Sequence, residues 1–323
     1  MNRRRLVFVP MLMLAGPSST VLAQGWPARP VHVVIPIAAG SVSDLVPRLV
    51  MEQVAQQTGQ SVVFENRPGA GMTLGTGAVA KAAPDGYTVL VTSSAHTIAP
   101  ALYPNLNYQP TRDFVAVTPM GVSPFVLVVS PSKGYADAKA LVAAAKDRPG
   151  TFNFSSPGMG TASHLSAERF RLSTGVQAVH VPFKGGVEAM SEVMAGRVDF
   201  FFMALGAALP HIRSGRLQAL AVNSARRSAA LPEVPTLRES GIADADYPTW
   251  FGQFLPAGTP QAVVEKLHEQ TQRALQEPRI RDRLQAMGVE PMPMTQAEFE
   301  DFVRRQVAAD AALVSAIGLK LEQ

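Results

Sequence analysis

Blocks of almost wholly apolar residues alternate along this chain with longer stretches in which apolar residues recur every three or four positions. The short apolar blocks predict buried strands at residues 31–37, 61–65, 87–92, 125–130, 151–155, 177–182, 198–204 and 217–223. The periodic stretches predict helices at residues 44–58, 77–83, 136–147, 162–173 and 187–195, and through most of the chain after Thr259. Strand and helix therefore alternate over most of the length.

This alternation predicts an α/β fold of the doubly wound type. Strands that are apolar on both faces are typical of parallel sheets covered by helices on either side. The chain is too long for one such sheet, so we expect two doubly wound α/β lobes with a central cleft. Ligands of such sheets bind beyond the carboxyl ends of the strands, which makes the loops at 38–44, 93–97 and 155–164 the candidate site.

The first residues have the features of a secretory signal peptide. Arg3, Arg4 and Arg5 precede an apolar run at 6–15, and the triplet ending at Ala23 resembles a cleavage site. We expect residues 1–23 to be removed and the mature chain to begin near Gln24. This predicts an exported protein, best placed in a bacterial periplasm.

Charge and cysteine content narrow the function classes. Removing the three leader arginines from the 29 basic residues leaves 26 against 25 acidic ones, so the basic balance does not indicate nucleic-acid binding. The chain has no cysteine, which excludes disulfides and a lipid anchor on cysteine. Its folded state must therefore depend on apolar burial, which a chain of this length can supply.

The three candidate loops share one composition. They read "IAAGSVSD" (37–44), "TSSAHT" (92–97) and "NFSSPGMGTASHL" (153–165), each rich in small or hydroxyl-bearing residues. A helix N-terminus has unpaired N–H groups and a partial positive charge. Glycine allows an anion to approach that backbone, and serine or threonine adds a hydroxyl donor. These loops therefore favour binding of an anion such as a carboxylate.

Structural roles are the alternative for the same residues. Asp44 and Thr161 could simply cap helices, and Gly158-x-Gly160 lacks the acidic residue that a dinucleotide site requires further along. None of the six histidines is spaced as a metal ligand, and His180, within an apolar strand, is expected in the core. A secreted hydrolase with an unrecognised site stays open as the second interpretation.

Several longer segments occur in the order typical of one family. They are "GQSVVFENRPGAG" (59–71), "VAKAAPDGYTVL" (79–90), "LNYQPTRDF" (106–114), "SSPGMGTASHLSAE" (155–168), "VHVPFKGG" (179–186), "AGRVDFFF" (195–202), "LPEVPTLRESG" (231–241) and "WFGQFLPAGTP" (250–260). Over essentially the whole mature chain, the sequence resembles the Bug family, the periplasmic substrate-binding receptors of tripartite tricarboxylate transporters.

The resemblance implies a type II periplasmic binding protein, or Venus flytrap. Lobe 1 would comprise residues 24–124 and 250–323, and lobe 2 residues 125–249. Crossing segments near residues 123–126 and 247–252 would act as the hinge. The protein would be a monomer without metal, cofactor or catalytic activity, and would pass a small carboxylate to the membrane components of the transporter. A ligand sensor that feeds a signalling partner is a third interpretation.

The resemblance and the loop argument together give the expected ligand contacts. These are Ala39, Gly40, Ser41, Asp44, Ser94, Ser156, Gly158, Met159, Gly160, Thr161, His164 and Ala204. Ser41 departs from the family, which usually has glycine there, so the identity of the carboxylate (a di- or tricarboxylate, or an aromatic or amino acid) stays open. Phe202 and Met203 would be either an apolar wall of the site or core residues.

Overall fold

The computed structural model describes residues 25–319, so the proposed signal peptide lies outside the described residues. The first part of the chain forms β1 (Val31–Ile35), α1 (Val42–Thr58), β2 (Val62–Asn66), α2 (Thr73–Ala80), β3 (Thr88–Ser93), α3 (Ala95–Leu102) and β4 (Phe114–Ser123). The middle part forms β5 (Phe125–Val129), α4 (Ala138–Asp147), β6 (Phe152–Ser156), α5 (Ala162–Thr174), β7 (Ala178–Pro182), α6 (Gly186–Met194), β8 (Phe200–Ala204), α7 (Leu205–Arg213) and β9 (Gln218–Val222). The last part forms β10 (Thr249–Pro256), α8 (Gln261–Gln276), α9 (Pro278–Ala286) and α10 (Gln296–Ile317).

The strands of residues 25–319 form two five-stranded sheets, one in each lobe of the α/β fold. The sheet of the first lobe has the order β2-β1-β3-β10-β4, and that of the second has the order β7-β6-β8-β5-β9. The chain passes between the sheets twice, once at Pro124 and once between β9 and β10.

Both sheets are mixed, which corrects the expectation of parallel sheets. Strand β10 runs antiparallel to β3 and β4, and β5 runs antiparallel to β8 and β9. Phe251 pairs with Ser93 at the carboxyl end of β3, and Phe125 pairs with Ala204 at the carboxyl end of β8. Strands β10 and β5 each begin at the edge of the sheet where the neighbouring strands β3 and β8 end. They run away from that edge and are therefore antiparallel to these neighbours.

Several elements differ from the sequence-based expectation. Helices α3 and α7 and strands β4 and β10 are additional, and α2 starts at Thr73 rather than Gly77. Strand β4 contains Pro119 and Gly121, which normally argue against a strand interior. Its pairing with β10 skips Met120, so these residues lie at a β-bulge that bends the strand.

Separate apolar cores stabilise the lobes, and a smaller cluster joins them. In helix α1, the buried residues Val46, Leu49, Val50 and Val54 lie on one face, as the apolar periodicity of the sequence predicts. Gly59 ends the helix in the left-handed conformation. The joining cluster consists of Ile98, Leu102, Leu165, Tyr247, Leu313 and Val314. It comes from α3, α5, α10 and the second crossing segment. None of the helices in residues 25–319 is long and apolar enough to cross a membrane.

Candidate ligand-binding cleft

A cavity of about 350 Å³ lies between the lobes, at the carboxyl ends of β3 and β6. Three helices begin at its edge, because Ser43 belongs to the first turn of α1, Ser94 precedes α3, and Thr161 precedes α5. The lining residues are Ser43, Gly71, Met72, Ser93, Ser94, Ala95, Ile98, Ala99, Leu102, Tyr103, Met159, Gly160, Thr161, Ala162, Leu165, Tyr247 and Thr249. The cavity is therefore formed by both lobes and by the second crossing segment.

The loop before α1 is fixed by Asp44, whose side chain is only 2% exposed. Its carboxylate accepts hydrogen bonds from the Gly40 N–H at 2.9 Å, Asn66 Nδ2 at 2.8 Å and Arg48 Nε at 3.0 Å. Burial alone would raise the pKa of Asp44, but the bonds from Asn66, Gly40 and Arg48 outweigh it and hold the pKa below its usual value. Asp44 therefore shapes the loop as a buried anion.

This geometry corrects the capping role considered for Asp44 and shows where the other residues of the first loop lie. Asp44 is not the helix cap, because α1 begins at Val42 and Ser41 is its N-cap, without a capping side-chain bond. Ala39 and Gly40 are exposed and lie outside the residues lining the cavity. The Ser41 hydroxyl is buried with no hydrogen-bond partner in the described part of the chain. The residue of this segment that reaches the cavity is Ser43, a hydroxyl-bearing residue of the candidate stretch that lies in the first turn of α1.

Ser94, one of the expected ligand contacts, lies at the edge of the cavity. It follows β3 directly, and its N–H donates to the Trp250 carbonyl at 3.0 Å, which ties the loop to β10. Its hydroxyl makes no hydrogen bond within residues 25–319, and the residue lines the cavity. His96 from the same loop lies instead in an aromatic cluster with Tyr108 and Phe254, where burial lowers its pKa to about 3. It is therefore neutral and belongs to the core.

The loop between β6 and α5 is held by its own hydrogen bonds. Thr161 is the N-cap of α5, because its hydroxyl accepts from the His164 N–H at 3.3 Å and donates to the Gly158 carbonyl at 2.8 Å. The Ser156 hydroxyl accepts from the Gly158 N–H at 3.1 Å, and His164 Nδ1 accepts from the Gly160 N–H at 3.1 Å. Gly160 has a φ of 72°, in the region that glycine adopts without strain.

Gly158 and Gly160 are among the expected ligand contacts, but their amides are not free for an anion. Their N–H groups are already paired with Ser156 and His164. The first N–H groups of a helix have no partner within it, and in α5 these belong to Ala162 and Ser163. Met159, Gly160 and Thr161 do line the cavity, whereas Ser156, Gly158 and His164 support the loop from behind.

His180 is half-buried in the middle of β7 rather than in the core. Its ring stacks on His164 with 3.9 Å between ring centroids, and its Nε2 lies 2.7 Å from the Ser156 hydroxyl. Burial, assisted by the His164 ring, lowers the pKa of His180 to about 4. The core position expected for His180 is wrong because β7 is the edge strand of its sheet, where side chains are covered less completely than on the inner strands.

Ser156 and His180 form a serine–histidine pair, which bears on the hydrolase interpretation. A nucleophile must reach its substrate, yet Ser156 is 0% exposed and its oxygen already accepts from Gly158. The carboxylate of Glu168 lies 3.5 Å from His164 Nε2 and so pairs with His164 rather than with His180. This arrangement anchors the loop and offers no nucleophile to the cleft.

The end of β8 contributes to the core. Phe202 and Met203 are buried among core residues, which supports the second of the two roles considered for them. Ala204 is partly buried at the start of α7 and lies outside the residues lining the cavity.

Within residues 25–319, no three His, Asp or Glu side chains are grouped so that they could hold a metal ion.

The apolar wall of the cavity is the part that sequence reasoning missed. It includes Met72, Ile98, Leu102, Tyr103 and Leu165. Gly71 and Met72 both have positive φ, and a Cβ on Gly71 would lie 2.1 Å from the Tyr103 hydroxyl. The glycines of "GAG" at 69–71 are the sequence signal for this part of the wall, because glycine at position 71 allows the backbone to lie close to the Tyr103 side chain.

Comparison with known proteins places the chain in a family. The sequence model of the tripartite tricarboxylate transporter family receptor matches residues 46–319. The chain is 35% identical over 326 residues to protein BugT of Bordetella pertussis, covering 100% of both chains.

Solved structures agree with this match. MatC from Rhodopseudomonas palustris with bound malate is 32% identical, with a TM-score of 0.72 over 90% of this chain and 100% of that one. R. palustris Rpa4515 with adipate is 28% identical, with a TM-score of 0.76 over 92% of this chain and 100% of that one. The motifs, the two-lobed fold and these matches lead to one conclusion: the chain belongs to the Bug family of tripartite tricarboxylate transporter receptors.

Proposed function

We propose that this protein is a periplasmic solute receptor that binds a small carboxylate between its lobes and delivers it to the membrane components of a tripartite tricarboxylate transporter. The observation that carries the proposal is the convergence of the N-termini of α1, α3 and α5 on one cavity. Each helix N-terminus carries roughly half a positive charge. The unpartnered Ser94 hydroxyl adds a donor at the same place.

Charge recognition in this cavity would depend on the backbone. No Lys, Arg, Asp or Glu is among the residues that line it in the described part of the chain. A carboxylate that entered would exchange water for N–H and hydroxyl donors of loops whose shape is fixed by the hydrogen bonds of Asp44, His164 and Thr161. The related MatC and Rpa4515 structures hold malate and adipate, which supports a carboxylate as the ligand here.

A thermal-shift screen followed by calorimetric titration tests the proposal. Malate and adipate are suitable first ligands, with their diamides as matched controls that keep the shape and remove the charge. A carboxylate at 100 times its dissociation constant should stabilise the protein by about 2.7 kcal/mol, roughly 5 °C in melting temperature. The diamides should give no shift. Equal binding of acid and amide, or no binding across a wide panel of carboxylates, would overturn the proposal.

The transport role needs a separate experiment. Cells that lack the chain should lose uptake of the ligand found in the screen, and restoring the gene should restore uptake. A sensor would leave uptake intact and change gene expression instead.

We also propose export with cleavage after Ala23, which N-terminal mass determination of the periplasmic protein can check.

We further propose that residues 24–124 and 250–323 form lobe 1 and that residues 125–249 form lobe 2. The distribution of strands supports this division, because β5 to β9 share one sheet and the others share the second. The hinge would lie near residues 123–126 and 247–252, where the chain crosses. Small-angle scattering should show compaction on ligand binding; an unchanged radius of gyration with a bound ligand would refute the hinge.

A further inference from the structure

The cavity changes from polar to apolar along two of the helices that line it. On α3, Ala95 lies at the N-terminus, while Ile98, Ala99 and Leu102 continue the same face of the helix. At 1.5 Å per residue, Leu102 is roughly 10 Å from Ala95 along the axis. On α5, Leu165 follows Thr161 and Ala162 in the same way. The anion-binding end and the apolar end are therefore separated in space.

A second carboxylate at the apolar end would find few partners. The favourable field of a helix N-terminus falls off within the first turn, and Ile98, Leu102 and Leu165 have no donors. The Tyr247 hydroxyl already donates to Asp310 at 2.9 Å. The Tyr103 hydroxyl is the single phenolic donor left among the lining residues, and one neutral donor cannot replace the hydration of an ionised carboxylate.

We propose that the cavity selects monocarboxylates with an apolar body over dicarboxylates of the same length. This inference rests on the proposed function, since it assigns the carboxylate to the helix N-termini and the body of the ligand to the wall formed by Ile98, Leu102 and Leu165. Each methylene buried against that wall should tighten binding about fourfold. The carboxylate of the ligand would fix its orientation in the cavity, and the apolar body would distinguish a monocarboxylate from a dicarboxylate.

Hexanoate and adipate form a matched pair that tests the inference, because they differ only in whether the far end is a methyl or a carboxylate. Calorimetric titration should give at least tenfold tighter binding for hexanoate, and butyrate should bind more weakly than hexanoate. If adipate binds as tightly as hexanoate or more tightly, the inference is wrong and the proposed function still stands. If neither they nor any other carboxylate binds, both fail.

Two variants of Ile98 test the wall itself. Ile98→Val and Ile98→Thr produce side chains of nearly the same shape, and only threonine adds a hydroxyl. Ile98→Thr should bind hexanoate about tenfold more weakly than Ile98→Val, while adipate should change little between them. Melting curves of both variants establish that they are folded. Equal affinity of the two variants for hexanoate would show that the body of the ligand does not contact this wall, and would overturn the inference.

Discussion

Asp310 on α10 offers a sharp test of how burial controls stability in this protein. The side chain is 1% exposed, its Oδ1 accepts from the Tyr247 hydroxyl, and its Oδ2 has no hydrogen-bond partner within residues 25–319. Burial raises the pKa of Asp310 from 3.8 to about 6, although the nearby Thr97 and Tyr247 hydroxyls oppose the rise. The perturbation is Asp310→Asn, which keeps the shape and removes the titration.

The magnitude follows from the two pKa values. The interval between 3.8 and about 6 corresponds to roughly 3 kcal/mol, at about 1.4 kcal/mol per pH unit. The folded state binds this proton more tightly than the unfolded state. Its contribution to stability is therefore fully present below about pH 4 and is lost as the pH rises towards and through 6. At neutral pH the ionised carboxylate is a net cost to the fold.

Urea unfolding of the parent protein and Asp310→Asn between pH 4 and pH 7.5 measures this cost. The free energy of unfolding of the variant, relative to the parent, should rise by about 2.5 kcal/mol across that range. Asp301→Asn on the same helix is the control, because Asp301 is exposed and its substitution should give a nearly flat difference. A flat difference for Asp310→Asn as well would refute the reasoning that this carboxyl is strained by burial.

Three further substitutions test the site. Gly71→Ala should displace the Tyr103 hydroxyl, which would lie 2.1 Å from the new Cβ, and calorimetry should show at least tenfold weaker carboxylate binding. Ser94→Ala should weaken binding tenfold or more, since a charge-assisted hydrogen bond contributes about 1.5–3 kcal/mol, whereas Ser173→Ala, outside the cavity, should leave affinity unchanged. Asp44→Ala removes a buried acceptor of three hydrogen bonds and should lower the urea-unfolding free energy by about 3–5 kcal/mol; a loss under 1 kcal/mol would contradict the role assigned to that carboxylate.

The hydrophobic pattern predicts the alternating strands and helices of each lobe. It does not predict the direction of β5 and β10, the strands that follow the two crossings between the lobes. Helix α1 was readable because its apolar stripe and Gly59 are both local signals. The direction of β5 and β10 depends on where the chain re-enters each lobe, which no local pattern encodes. The sequence does not predict strand β4, because proline and glycine normally argue against a strand. Here both residues lie at a β-bulge that forms only when β10 pairs with β4.

The candidate site was predictable as a set of loops, and less so residue by residue. Glycine and hydroxyl residues at strand ends do surround the cavity, with Ser94, Gly160 and Thr161 among its lining. The sequence does not show that the amides of Gly158 and Gly160 are paired with Ser156 and His164. Sequence shows that a donor exists, whereas only the folded loop shows whether a neighbour has already paired with it.

The position of β10 between β3 and β4 has a consequence for the order in which the chain acquires its structure. Strands β5 to β9 lie within residues 125–222 without interruption, so the second sheet can assemble as soon as that segment is available. The first sheet lacks an inner strand until Thr249–Pro256 arrives, and β3 and β4 meanwhile have unpaired edges open to aggregation. We expect residues 125–249 to fold when expressed alone and residues 25–124 to aggregate, so that residues 25–124 become native only after the second sheet has formed.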